Sequence, residues 1–228
     1  MMYPMDPTFL LLIPALLLAF FAQMKVKGTF AKYSEVYATK GVDSSTVSRA
    51  LLDRFGLQNV RIERVPGNLT DHYDPRTKVL RLSDSVSGNA SIAAIGVAAH
   101  EVGHAVQDKE GYGPLRFRNA LVPVANIGSM AAFPLFLIGL LMSMEPLLNI
   151  GILLFAGVVL FHLITLPVEF DASSRALKLL SSTGTLTQQE IGGAKSVLNA
   201  AALTYIAATV MAIAQLARLL ILANGRRN

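Results

Sequence analysis

Residues 121–168 read LVPVANIGSMAAFPLFLIGLLMSMEPLLNIGILLFAGVVLFHLITLPV, two apolar runs parted only by Glu145 and Pro146. The second run, 147–168, has 22 residues, and at a rise of 1.5 Å per residue it makes a helix about 33 Å long, enough to cross the hydrocarbon core of a bilayer. So short a connection returns the chain to its starting side, and 119–168 is expected to form a transmembrane helical hairpin. Pro123 and Pro134 fall inside its first helix.

Working outward, Phe9 to Ala22 is almost uninterrupted Leu, Ile, Ala and Phe, which places a first span over 7–24. A cleaved signal peptide fits less well. Asp6 stands in place of a basic leader, and Lys25 and Lys27 follow where small residues would mark a cleavage site. The segment 197–223 is interrupted by Asn199, Gln215 and Arg218, so it either spans or lies along the interface. Composition agrees with a multi-pass membrane protein: 53% of residues are hydrophobic and 15% charged.

The formal net charge is +5, but the basic residues flank apolar stretches and form no patch interleaved with aromatics, which argues against nucleic acid as a partner. They set orientation instead. Lys25, Lys27, Lys32 and Lys40 follow the first span, Arg116 and Arg118 precede the hairpin, and the loop at Glu145 has no Lys or Arg. The regions 41–118 and 169–196 are therefore expected in the cytoplasm, with the chain in the cell membrane. Arg226 and Arg227 would then lie outside if 197–223 crosses, a charge cost that favours a tilted or interfacial placement.

Region 41–118 has the charge density and punctuation of a folded α+β domain. Asp43-Ser44-Ser45 marks a helix start, Val47, Ala50, Leu51 and Phe55 recur at helical spacing, and Gly56 sits where a helix ends. Val60 to Glu63, Leu69 to Tyr73 and Lys78 to Leu82 are expected to pair as a small antiparallel sheet, with turns at Pro66-Gly67 and Asp74-Pro75-Arg76-Thr77. Next comes a helix over 91–108, capped by Asn89 or Ser91 and closed by Gly111-Tyr112-Gly113-Pro114. The fold class is thus mainly α: transmembrane helices plus a small α+β region.

That helix carries His100-Glu101-Val102-Gly103-His104. His100 and His104 are four residues apart and project from one face toward one ion, the spacing of a zincin-type zinc site. Glu101 lies about 100° further round, placed to take a proton from an attacking water rather than to share the metal. Two His and a Glu on a helix of Ala and Val are costly to bury without a cation or hydrogen-bond partners. With no cysteine in the chain, the ligands must be His, Asp, Glu or water, and an open catalytic zinc site needs a third protein donor. Glu169, which follows the second run of the hairpin directly, is the expected donor. Asp171 is the rival ligand, or a carboxylate that orients a zinc-bound His. His72, in the strand region before the helix, is a candidate to hydrogen-bond a substrate carbonyl or oxyanion; Tyr73 is a weaker candidate. His162, two helical turns before Glu169, reads as a packed histidine.

Thr70-Asp71-His72-Tyr73-Asp74-Pro75-Arg76, Ala99 to Ala105, Leu166-Pro167-Val168-Glu169-Phe170-Asp171-Ala172 and the opening Asp6-Pro7-Thr8 together resemble the YugP-like neutral zinc metallopeptidases of bacterial membranes. The resemblance covers nearly the whole chain and implies a zinc-dependent membrane endopeptidase. More distantly, the zinc helix and the later Glu-x-x-Ala resemble the HtpX and CAAX-protease class. That likeness implies His100, His104 and Glu169 as zinc ligands and Glu101 as base, on the cytoplasmic side. The class usually has Asp four residues after its ligand Glu, where this chain has Ser173.

The expected activity is hydrolysis of membrane or membrane-proximal proteins. An extended substrate strand would pair with the sheet edge near His72 to Leu82. A zinc-stabilised membrane scaffold that binds a partner or a second copy is the alternative.

Overall fold

The structure, a computed structural model, describes residues 7–227. Asp6 of the opening motif lies outside them, as do the side chains of Arg226 and Arg227. In chain order come a 3-10 turn (Pro7–Leu12), α1 (Ile13–Ser34), α2 (Ser44–Arg54), β1 (Arg61–Val65), β2 (His72–Asp74), β3 (Val79–Ser83), α3 (Ile92–Glu110), α4 (Gly113–Leu141), α5 (Glu145–Ser182) and α6 (Gln188–Arg227). The expected class, mainly helical with a small sheet, is the one observed. Among the described residues, four helical stretches are long and apolar enough to cross a membrane: Pro7–Ser34, Gly113–Leu141, Glu145–Ser182 and Gln188–Gly225. Two compact units divide the chain.

The first unit comprises Met1–Gln23, Arg116–Leu166 and Leu203–Asn228. Its hairpin is held by backbone proximity. A Cβ on Gly151 would lie 2.8 Å from both Ala132 O and Phe136 N, and one on Gly139 would lie 2.5 Å from Leu148 N. Lipid gives apolar side chains no reason to associate, so small residues that admit close van der Waals packing take over. The turn is a Schellman closure: Ser143 adopts φ 59° and the Met144 amide donates to Gly139 O at 2.9 Å. Near the far end of α6, Leu219 and Ala223 are buried with Phe136 and Leu148, and Arg218 Nε donates to Thr8 Oγ1 at 3.2 Å.

The second unit comprises Met24–Leu115 and Pro167–Ala202. Asp43 caps α2 by accepting from the amides of Ser45 and Thr46. Ser91 rather than Asn89 caps α3, and Gly111 closes it in the left-handed region at φ 66°. Helix α3 is the centre of this unit, with Ile95, Ala99, Val102 and Val106 packed against Leu51, Leu80, Leu82, Leu180 and Leu198.

The sheet corrects the expected pairing. Its order is β1-β3-β2, with β1 parallel to β3 and only β2 antiparallel. Alternating apolar residues mark a strand but not its neighbours. The segment between β1 and β2 is pinned to the end of β3, since Asp84 Oδ2 accepts from the Gly67 amide while Asp71 accepts from Ser83 N and Oγ. That crossing carries the chain past β3, so β1 and β2 occupy opposite edges. Val79, Leu80 and Leu82 are wholly buried, as a central strand requires. Strand β3 therefore offers no edge to a substrate.

Candidate metal centre

Helices α3 and α5 meet where α3 has no side chain. A Cβ on Gly103 would stand 2.6 Å from the carbonyl oxygen of Ala172. This contact brings the two His of α3 against Glu169 of α5, which is 4% exposed. His100 Nε2 and His104 Nε2 are 3.1 Å apart, and Glu169 Oε2 lies 3.2 Å from the first and 3.6 Å from the second. Among the described residues these three form the group able to hold a metal ion. Asp171, the rival ligand, is not in it.

The donor set fits zinc. Ligand atoms about 2.0–2.1 Å from a zinc ion at tetrahedral angles stand about 3.3–3.4 Å from one another, close to the mean of the observed separations. The rings are also turned correctly. Gln107 is wholly buried, and its Nε2 donates to Val168 O and Asp171 Oδ2, both at 2.8 Å. Its Oε1 is left facing His104 Nδ1 at 2.9 Å. An amide oxygen only accepts, so the His104 proton sits on Nδ1 and the lone pair of Nε2 points at the centre. His100 Nδ1 contacts Ser173 Oγ at 3.1 Å. His100 Nε2 can then donate to His104 Nε2 or, with its proton on Nδ1, turn a second lone pair toward a shared cation.

Glu101 stands beside the donors without joining them. It is 8% exposed, and its Oε2 accepts from the Tyr73 amide at 2.9 Å. Tyr73 is itself tied down through its hydroxyl, which donates to Asp108 Oδ2 at 2.8 Å. Burial pushes the Glu101 carboxyl up to about 7 in the metal-free protein. Because this folded value lies above the ordinary 4.5, the native state binds the extra proton between the two. Its contribution to stability is full below about pH 4.5 and lost as pH rises through about 7. Chelator-treated protein should therefore melt at progressively lower temperature across that window, and Glu101→Gln protein should lack this component of the fall. An identical pH profile for the two would contradict the assignment.

The other sequence candidates lie elsewhere. His72 is exposed on β2, its Nδ1 bonded to Thr70 O at 2.9 Å and its Nε2 3.5 Å from Arg81 Nη1. Strand alternation points it to the face opposite Tyr73. His162 belongs to the first unit and makes an edge-to-face contact with Phe161 at 5.9 Å. Sequence reasoning missed Gln107 outright, and it reached Ser173 only as a departure from a pattern. The one available signal for Gln107 was a polar side chain on an otherwise small and apolar helix, one turn beyond His104.

A family model described as "putative neutral zinc metallopeptidase" matches residues 8–224. The chain is 49% identical over 217 residues to the "putative membrane protease YugP" of Bacillus subtilis (strain 168), covering 95% of this chain and 96% of that one. No solved structure matches it.

Proposed function

The chain belongs to the family described as putative neutral zinc metallopeptidases, and from that premise we propose that it is a membrane-embedded endopeptidase for membrane or membrane-proximal proteins. His100, His104 and Glu169 hold the zinc, and Glu101 is its general base. The observation that carries this reading is the convergence of three donor atoms within 3.1–3.6 Å of one another beside a buried carboxylate that is not one of them. A purely structural site has no use for that carboxylate.

When bound, zinc supplies a Lewis acid that polarises the scissile carbonyl and lowers the pKa of water. The Tyr73 amide fixes one oxygen of Glu101 and leaves Oε1 as the basic atom. Oε1 takes the proton of the attacking water and then delivers it to the leaving amine nitrogen. Burial favours the protonated carboxyl and a neighbouring dication favours the carboxylate, so the two effects oppose each other at Glu101. The exposed ring of His72 has no step in this scheme. Nor does β3 receive a substrate strand.

Purified protein should cleave a casein-type substrate, lose that activity to a chelator and regain it with zinc. Glu169→Ala protein should emerge from purification with far less than one zinc per chain; full occupancy would remove this carboxylate from the ligand set.

The second unit faces the cytoplasm in this reading, because it contains Lys25, Lys27, Lys32, Lys40, Lys178 and Lys195 while the hairpin turn has no Lys or Arg. Helix α6 is then a fourth span, consistent with the burial of Leu219 and Ala223 against the hairpin. A chain without cysteine is suited to single-cysteine labelling. In intact cells a membrane-impermeant maleimide should modify Met142→Cys, in the hairpin turn, and spare Asn59→Cys. The opposite pattern would invert the topology.

A further inference from the structure

We infer that Gln107 is the positioning residue that keeps the two halves of the metal centre in register, setting the ring of His104 with one end of its amide and gripping α5 beside Glu169 with the other. This inference rests on the zinc-peptidase reading above. Its orientation is fixed by α5: turning the amide over would set the carbonyl against both Val168 O and the Asp171 carboxylate, two repulsive contacts in place of two hydrogen bonds, so it is Oε1 that faces His104 Nδ1. Val168 immediately precedes Glu169, so the bond to its carbonyl holds the backbone that presents the third donor.

Asp171 is held in turn. Arg175 Nε donates to the same Asp171 Oδ2, and Arg175 Nη1 pairs with Glu110 Oε2. The path Glu110, Arg175, Asp171, Gln107 begins and ends on α3 and encloses α5 between its ends. Asp171 thus influences His104 through an intervening amide rather than by direct contact. His100 has a single hydroxyl contact at the corresponding nitrogen, so the more heavily determined ring is that of His104.

A buried glutamine could also be an ordinary core residue whose bonds merely satisfy its own polarity. The two roles separate in the metal affinity, read by chelator competition for zinc, and in the d–d absorption of Co²⁺-loaded protein; neither readout requires peptide hydrolysis. Gln107→Leu should bind zinc about 10–100-fold more weakly, the usual effect of losing a partner behind a metal ligand, and should shift the Co²⁺ bands. Gln107→Glu keeps an acceptor for His104 but turns like polarity toward Val168 O and Asp171, so it too should weaken binding. Adding Asp171→Asn supplies a donor to that carboxylate and should recover part of the loss, because the same atom can no longer accept from Arg175 Nε.

Wild-type affinity and spectrum in Gln107→Leu would overturn the inference. So would a Gln107→Glu, Asp171→Asn pair no tighter than Gln107→Glu alone, and this comparison decides the matter if the leucine variant fails to fold. Wild-type protein that takes up no zinc would overturn the metal centre and this inference together, whereas zinc-replete wild type with indifferent Gln107 variants sinks the inference alone.

Discussion

Glu101→Gln protein is expected to bind zinc like the wild type and to hydrolyse a casein-type substrate about 10²–10⁴-fold more slowly, the usual contribution of a positioned general base. The change is nearly isosteric and preserves an amide oxygen to accept from the Tyr73 N–H, now 2.9 Å from the carboxylate. What disappears is the basic oxygen alone. Because the site is buried, no solvent base replaces it at the same distance. Single-turnover cleavage measured beside zinc stoichiometry separates lost chemistry from lost metal. A rate within a few-fold of wild type, at full zinc, would strip Glu101 of its role.

The second large effect is expected from the smallest of changes, Gly103→Ala. Within a helix this exchange gains roughly 1 kcal/mol of intrinsic propensity. Overpacking a tight contact costs about 1–3 kcal/mol, so the melting temperature should move little or fall modestly. Activity should not be spared. The new methyl would sit 2.6 Å from Ala172 O, and restoring ordinary contact pushes α5 away by several tenths of an ångström. Ala172 lies three residues from Glu169, and functional constellations tolerate about 0.5 Å of error. A displacement approaching 1 Å costs about 100-fold in rate. The expected result is a folded protein with poor zinc affinity and about 100-fold less activity. Gly192→Ala, on α6 with nothing within 4 Å of the added carbon, is the matched control and should leave both unchanged. Full activity in Gly103→Ala would show that the helix contact does not set the donor geometry.

What could be read in advance was local. The caps at Asp43 and Ser91, the stops at Gly56 and Gly111, the apolar hairpin and the zinc helix are each signalled by a few neighbouring residues, because hydrogen-bond closure at a helix end and hydropathy over one span are short-range matters. Helix ends with no such punctuation are not legible in this way: α1 runs to Ser34 and α5 to Ser182, well past the apolar stretches that mark the expected spans. Leaving an apolar environment does not end a helix whose remaining residues can still propagate it. Parallel pairing of β1 and β3 was out of reach because alternation carries no direction. Gln107 was hidden for another reason. Its partners Val168 and Asp171 are more than sixty residues away in sequence, and an amide acquires a role only once its acceptors are chosen by another helix.

The split of the donor set has a consequence for biosynthesis. Translation delivers both histidines at least 65 residues before Glu169, with the entire apolar hairpin between them. The later stretch also supplies Leu180, Ala194 and Leu198, which bury the zinc helix. A ribosome-bound chain that has not yet placed that hairpin therefore has two imidazoles and no third donor. On the proposed ligand set, hydrolytic power is withheld until Glu169 has followed the hairpin out of the ribosome, so the nascent polypeptide cannot cut anything before then.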